Sequence, residues 1–139
     1  MRLFIGILAL VVSAMLAGAC QSSGGSGLTG KTWQWTGSTT KVPASQSVVP
    51  DPENYTITFN TDGTFAAKAD CNQVSGGYTT SGSDLTITPG PTTLMACPEG
   101  SLDGLFLEGL GKAASFTISG SDLTITDSDE GTMQFVAAA

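Results

Sequence analysis

Apolar and polar residues alternate along several short stretches of the chain. Side chains two positions apart in a strand point to the same face, so each stretch predicts a strand that is buried on one side. Most of the chain is therefore predicted to form β-sheet. The alternating apolar residues are Trp33 and Trp35; Tyr55, Ile57 and Phe59; Leu85 and Ile87; Phe116 and Ile118; Leu123 and Ile125; and Met133 and Phe135.

Turn residues separate these predicted strands. Asn60-Thr61-Asp62-Gly63 lies between two strand patterns and is typical of a tight hairpin. The segment Ser81–Thr88 recurs with identical sequence as Ser119–Thr126. Two copies are too few for a solenoid, so the repeat predicts two similar hairpins in one sheet.

One segment has helical spacing instead. Its apolar residues are Leu102, Leu105, Phe106 and Leu110, and they follow the helix-start signals Pro98, Glu99 and Ser101 and precede Gly111. The pattern predicts one short helix whose buried face carries all four apolar side chains. Gly104 and Gly109 weaken the helix, so packing against the sheet must stabilise it.

The segment Thr36–Glu53 contains three prolines and little apolar periodicity. It is predicted to be a long loop, and long loops are often functional or disordered. It is one candidate contact surface. The other is the shared face of Trp33 and Trp35, although core packing is the expected role of tryptophans in a strand.

The N-terminus has the order of a secretion signal. Arg2 precedes an apolar run from Leu3 to Ala19, and small residues precede Cys20. Polar residues and a glycine cluster follow, whereas a membrane-spanning helix would have about 20 apolar residues and a flanking stop signal. The segment Leu16–Cys20 resembles a bacterial lipobox, in which the cysteine thiol is acylated. The alternative is ordinary cleavage that leaves a free thiol at Cys20.

These features divide the chain into residues 1–19 as a lipoprotein signal peptide, 20–27 as a Gly/Ser-rich tether and 28–139 as one domain. The mature protein is expected in the bacterial cell envelope, held on a membrane by lipid on Cys20. Gln21 after the cysteine would suit the outer membrane, facing the periplasm, in a Gram-negative host.

Export also bears on the other two cysteines. Cys71 and Cys97 are an even pair in a compartment where disulfides persist, so they are expected to be bonded to each other. Zinc binding is the alternative, but two cysteines in a chain without histidine make a poor zinc site.

The mature chain is acidic. Without residues 1–19 it has four lysines and twelve carboxylates, a net charge of 4 − 12 = −8. Nucleic acid is excluded as an expected partner, because its binding needs clustered lysine and arginine.

A family likeness lies in several of these segments together. The chain resembles the META domain of HslJ-like envelope lipoproteins over nearly all of Leu28 to Val136. Family proteins usually carry glycine where this chain has Asp70, a residue that also tolerates unusual backbone angles. The residues that carry the resemblance are Trp33, Tyr55–Gly63, Asp70-Cys71-Asn72, Gly76-Gly77-Tyr78, Thr93-Leu94-Met95-Ala96-Cys97, the predicted helix and Leu123-Thr124.

The resemblance implies a single β-rich domain with one helix and a link to envelope stress tolerance and to secretion or motility. It implies no catalytic residues. Together with the strand pattern it predicts an α+β domain: an antiparallel curved sheet or small, partly open barrel of about eight strands with one short helix.

The residue types present restrict the possible chemistry. The chain has no histidine and the mature part has no arginine, which excludes Ser-His-Asp triads, histidine metal sites and arginine clamps. The acids outside predicted turns, Asp51, Glu53, Asp70 and Glu99, are expected to be solvated surface residues rather than a glycosidase pair. Asp127–Gly131 is interpreted as an acidic turn, since its spacing does not match a calcium loop. No catalytic, cofactor-binding or metal-ligating residue is assigned.

Two functional hypotheses follow. The first is a non-enzymatic, membrane-tethered module that binds another envelope protein or ligand or protects against stress. The second is a small-ligand carrier, which would need a partly hollow barrel.

Overall fold

The computed structural model describes residues 27–139, so the predicted signal peptide, Cys20 and most of the predicted tether lie outside the described residues. The described part contains nine strands, one α-helix and a 3₁₀ helix at Pro52–Asn54. None of its helices is long and apolar enough to cross a membrane. The strands are β1 (Thr32–Lys41), β2 (Ala44–Val48), β3 (Tyr55–Phe59), β4 (Thr64–Ala69), β5 (Asn72–Ser81), β6 (Asp84–Thr92), β7 (Ala113–Ser119), β8 (Asp122–Asp127) and β9 (Thr132–Ala137), and the helix is α1 (Asp103–Gly111).

The strands form a closed barrel. Strands β3 to β9 follow one another around the sheet, β1 pairs with β3, and β1 also pairs with β9, which closes a ring of eight strands. All named strand pairs are antiparallel. The predicted fold of about eight strands and one helix is confirmed, and the barrel is closed.

The predicted hairpins are confirmed. Asn60–Gly63 joins β3 to β4, and the two copies of the repeat form the β5–β6 and β7–β8 hairpins. In each copy the glycine, Gly82 or Gly120, has a φ of 60°. Glycine adopts positive φ without a steric penalty, as the first central position of a type II′ hairpin turn requires.

The interior of the barrel is filled by the alternating apolar side chains. Trp33 and Trp35 are 0% and 2% exposed, so their expected role in the core is confirmed. Their indole nitrogens donate hydrogen bonds to the carbonyl oxygens of Leu28 (2.9 Å) and Gly37 (2.8 Å). Both large rings are therefore buried without leaving an indole N–H unpaired.

The predicted loop over Thr36–Glu53 is wrong. Its first part is the second half of β1, and β2 then pairs back on β1 from Lys41 opposite Ala44 to Gly37 opposite Val48. All five residues of β2 are exposed, so the strand has no alternation of buried and exposed positions. Pairing with β1 rather than burial defines this strand, which is why the apolar pattern did not reveal it.

The predicted helix is confirmed, but its predicted buried face is only partly correct. Phe106 and Leu110 are buried, and Leu102 lies just before the helix and packs partly against the core. Leu105 is 63% exposed. Because the nine-residue helix covers one end of the barrel, only its narrow i, i+4 side faces the interior.

The barrel has two distinct ends. The N-terminal mouth contains the start of β1 and the β3–β4, β5–β6 and β7–β8 turns, and Thr29 bridges Phe59 there. The helix mouth contains α1, the β1–β2 and β8–β9 turns and Cys71 and Cys97. Gly27, the first described residue, lies near Ile118 and therefore at the opposite end of the barrel from α1.

Candidate functional site

A disulfide joins two segments at the helix mouth. Cys71 and Cys97 are bonded, with their Cα atoms 5.5 Å apart, as the cysteine count predicted. Cys71 lies in the β4–β5 turn, and Cys97 lies between β6 and α1. Asp70 belongs to the same turn, contrary to expectation, and its φ of 57° is in the left-handed region that aspartate tolerates better than most residues.

The side-chain amide of Asn72 organises the segment that leads to α1. Its nitrogen donates to the Met95 carbonyl oxygen (3.0 Å) and to Asp103 Oδ2 (3.2 Å). Its oxygen accepts from the Met95 amide (2.8 Å) and from Thr93 Oγ1 (3.3 Å). Asn72 is 3% exposed, so these bonds satisfy a polar group that would otherwise be costly to bury.

Phe106 then inserts the helix into the barrel. Its ring centroid lies 5.4 Å from that of Trp35 and 5.8 Å from that of Tyr55. The Leu102 amide donates to Tyr55 Oη at 2.8 Å, which anchors the start of α1. At its other end a Cβ on Gly109 would lie 2.5 Å from the Met133 sulfur, so glycine permits the close approach of α1 to β9. Packing does stabilise this glycine-containing helix, as expected.

A cleft of about 350 Å³ lies between α1 and the paired strands β1 and β2, and we name it the helix-mouth cleft. Serine and threonine side chains of β1, β2 and β9 line one side. The exposed Leu105 and residues of the last two turns of α1 line the other. The lining includes Trp35, Ser38, Ser45, Ser47, Leu105 and Met133.

One end of the cleft is charged. Glu108, Lys112 and Asp127 line it, and an adjoining cavity of about 460 Å³ adds Lys41 and Asp129. Lys112 Nζ lies 2.8 Å from Glu108 Oε1 and 3.7 Å from Asp129 Oδ2. The hydrogen bond with Glu108 is the largest cause of a raised pKa of Lys112, and the negative charge of Glu108 is the second. Lys112 is therefore held as a cation among carboxylates.

The acidic segment Asp127–Gly131 is the β8–β9 turn, as predicted. Asp127 Oδ1 accepts hydrogen bonds from the Asp129 and Gly131 amides, each at 2.8 Å. The Asp127 carboxylate thus has a structural role in the turn.

The four acids that were expected to be solvated surface residues all have exposed or partly exposed side chains. Asp51, Glu53 and Glu99 are exposed, and Asp70 is partly exposed in its turn. Within residues 27–139, no group of three or more histidine, cysteine, aspartate or glutamate residues could hold a metal ion.

A family model for the META domain matches residues 26–139. The chain belongs to the META domain family. The residues that suggested this family, including Cys71, Asn72, Thr93, Met95 and Cys97, converge at the helix mouth of this META domain. Sequence reasoning identified Asn72 as part of the motif but missed its role, because its partners lie 21 to 31 positions away.

Solved structures with the same fold are distant in sequence. A protein from Burkholderia xenovorans is 19% identical, covers 82% of this chain and 86% of its own, and has a TM-score of 0.65. A DUF4847 family protein from Bacteroides vulgatus is 17% identical, covers 81% of this META domain chain and 95% of its own, and has a TM-score of 0.62. No curated protein matches the chain. These likenesses establish the fold alone.

Proposed function

We propose that this META domain is the binding part of a bacterial lipoprotein and acts without catalysis on another component of the cell envelope. Lipid on Cys20 would hold the protein on the membrane through the 20–27 tether. The observation that carries the proposal is the position of the helix-mouth cleft, which lies at the opposite end of the barrel from Thr29 and the start of β1. A chain anchored by its N-terminus can direct this cleft away from the membrane.

The polar groups of the cleft favour binding over catalysis. Thr39 Oγ1 and Thr132 Oγ1 bond to each other at 2.6 Å, and Thr40 Oγ1 donates to the Pro43 carbonyl oxygen at 2.7 Å. Nucleophilic catalysis needs a side chain activated by a neighbouring base. Lys112, the lysine in the cleft lining, is instead held by Glu108.

The carrier hypothesis is disfavoured by the packing of the interior. A carrier of this kind holds its ligand inside the barrel, which requires free volume there. Here large side chains occupy that space, and they include Trp33, Phe59, Phe65, Phe106 and Phe135, each no more than 1% exposed.

Site-specific photo-crosslinking tests the proposal in the native envelope. A photoreactive residue at Ser45, on the cleft, should capture a defined partner. The matched control is Ser83, which is exposed in the β5–β6 turn at the N-terminal mouth and should not. Equal capture from both positions, or from neither, would reject the cleft as the binding site, and substrate turnover abolished by one carboxylate substitution would reject the non-enzymatic role.

The anchor is tested separately by intact-mass analysis of membrane-extracted protein. Acyl mass should be present in the parent and absent from Cys20→Ser. An unmodified, freely secreted parent would show that the tether does not carry lipid.

A further inference from the structure

β2 has an open edge. It is the end strand of the sheet and, among the described residues, pairs with β1 along one side only. All five of its residues are exposed, and its sequence Ala-Ser-Gln-Ser-Val contains neither charge nor proline. Charged residues, proline and bulges are the usual devices that keep another chain from pairing with an edge strand. β2 contains none of these within its own length.

The hydrogen-bond register identifies the groups at this edge. The Val49 amide donates to the Thr36 carbonyl oxygen at 2.9 Å. Along an antiparallel ladder, bonded pairs alternate with pairs whose backbone groups point outward. Gln46 and Val48 are the positions that point outward, so their N–H and C=O groups face the open edge.

The helix-mouth cleft lies on one face of the same strand. Side chains alternate along β2, and those of Ser45 and Ser47 face the cleft. A further strand beside β2 would place every second side chain on this face, toward Leu105 and the charged end of the cleft. Backbone pairing and side-chain contacts would then act together, as in other cases of strand addition.

The charges around the cleft indicate which kind of partner is favoured there. Four carboxylates (Glu108, Asp127, Asp129 and Glu130) surround two lysines (Lys41 and Lys112), a net charge of 2 − 4 = −2. A second copy of this chain would bring the same carboxylates, and each mature copy has a net charge of 4 − 12 = −8. A cationic partner is favoured because like charges brought together at an interface are unfavourable.

We propose that an extended, lysine- or arginine-bearing segment of a partner polypeptide binds this META domain by adding a strand to β2. This inference rests on the proposed binding function and names the chemistry of the partner. It also assigns separate roles: the β2 backbone aligns the segment, Leu105 contacts an apolar side chain, and the carboxylates attract the cations.

A synthetic peptide provides the probe. It alternates threonine and lysine around a central leucine over nine residues, and the control peptide has glutamate in place of lysine. In the purified, ¹⁵N-labelled mature chain, the lysine peptide should slow hydrogen exchange at the Gln46 and Val48 amides, and added salt should weaken the effect. No protection at millimolar peptide, or equal protection by the glutamate peptide, would overturn the proposal.

Two variants separate the backbone contribution from the charge contribution. Gln46→Pro removes the outward N–H and should weaken peptide binding about tenfold, or about 1.4 kcal/mol, whereas Gln46→Ala keeps this group and should bind like the parent. Glu108→Lys replaces an exposed carboxylate of the cleft, removes its ion pair with Lys112, and should also weaken binding of the lysine peptide. Unchanged affinity in Gln46→Pro would reject strand addition, and unchanged affinity in Glu108→Lys would reject the selection of a cationic partner by the carboxylates.

The same variants separate this inference from the proposed function. If the Ser45 photo-crosslinker captures a partner from Gln46→Pro as efficiently as from the parent, the binding role is retained and strand addition is wrong. A protein that dimerises without peptide, with Gln46 protected in the dimer, would show that a second copy occupies the edge and would also overturn the proposal.

Discussion

Replacing Phe106 with alanine would remove the side chain by which α1 closes the barrel. Phe106 is fully buried, and its ring lies among those of Trp35, Tyr55 and Phe135 at 5.4, 5.8 and 6.4 Å. An aromatic side chain buries about 150 to 250 Å², worth about 4 to 6 kcal/mol at about 25 cal/mol per Å². The higher helix propensity of alanine offsets about 0.5 kcal/mol of this lost stability. We therefore expect a loss of about 3 to 5 kcal/mol in the free energy of unfolding, the usual range for such a truncation.

Urea unfolding, followed by tryptophan fluorescence and circular dichroism, measures this loss. With a denaturant slope of about 2 kcal/mol per M, the midpoint should fall by about 2 M. Leu105→Ala is the matched control, since it truncates the neighbouring residue of the same helix, which is 63% exposed. It should change stability by less than about 0.5 kcal/mol. A loss below about 1 kcal/mol for Phe106→Ala, or equal losses for both variants, would refute the role of Phe106 in closing the barrel.

Three further predictions concern the disulfide and the Asn72 hydrogen bonds at the helix mouth, and the β3–β4 turn at the N-terminal mouth. Replacing both Cys71 and Cys97 with alanine should cost about 3 to 4 kcal/mol, because the bond closes a loop with a sequence separation of 26; reductant should lower the melting temperature of the parent but not of this variant. Asn72→Leu should cost at least about 2 kcal/mol, because it removes the hydrogen bonds of a buried amide to the Met95 backbone and to Asp103. Equal stability of the variant and the parent in chemical denaturation would contradict this. The hydrogen bond from Thr64 lowers the pKa of Asp62. The charged carboxylate therefore stabilises the fold above the unfolded-state pKa. This contribution is lost as the pH falls through the folded-state pKa, below about pH 4. Asp62→Asn should therefore lower the melting temperature at pH 7 more than at pH 2.5, and an equal decrease at both would argue against a role for the charge.

Local patterns in the sequence determined most of the barrel. Apolar residues two apart, such as Ile57 and Phe59, predict the strands because alternate side chains of a strand share one face. Turn residues such as Gly82 and Gly120 predict the hairpins because they allow backbone angles that other residues disfavour. The cysteine count in an exported chain predicted the Cys71–Cys97 bond. Each of these inferences depends on neighbouring residues or on composition.

Tertiary structure decided what depends on distant partners. β2 is a strand because β1 pairs with it, and its exposed residues carry no burial pattern that could predict this. Leu105 and Phe106 are neighbours with similar apolar character, yet only the closed barrel determines that Phe106 enters the interior while Leu105 lines the cleft.

The candidate site shows the same division. The Cys-Asn and Thr-x-Met-x-Cys motifs pointed to the family from sequence, but the contacts of Asn72 with Met95 and Asp103 span 23 and 31 positions. The cleft likewise combines β1, β2, β9 and α1, which meet only when β1 pairs with β9 and closes the barrel. Sequence periodicity reports which side of each element is buried, whereas the surfaces that face one another across the cleft are set by long-range pairing and closure.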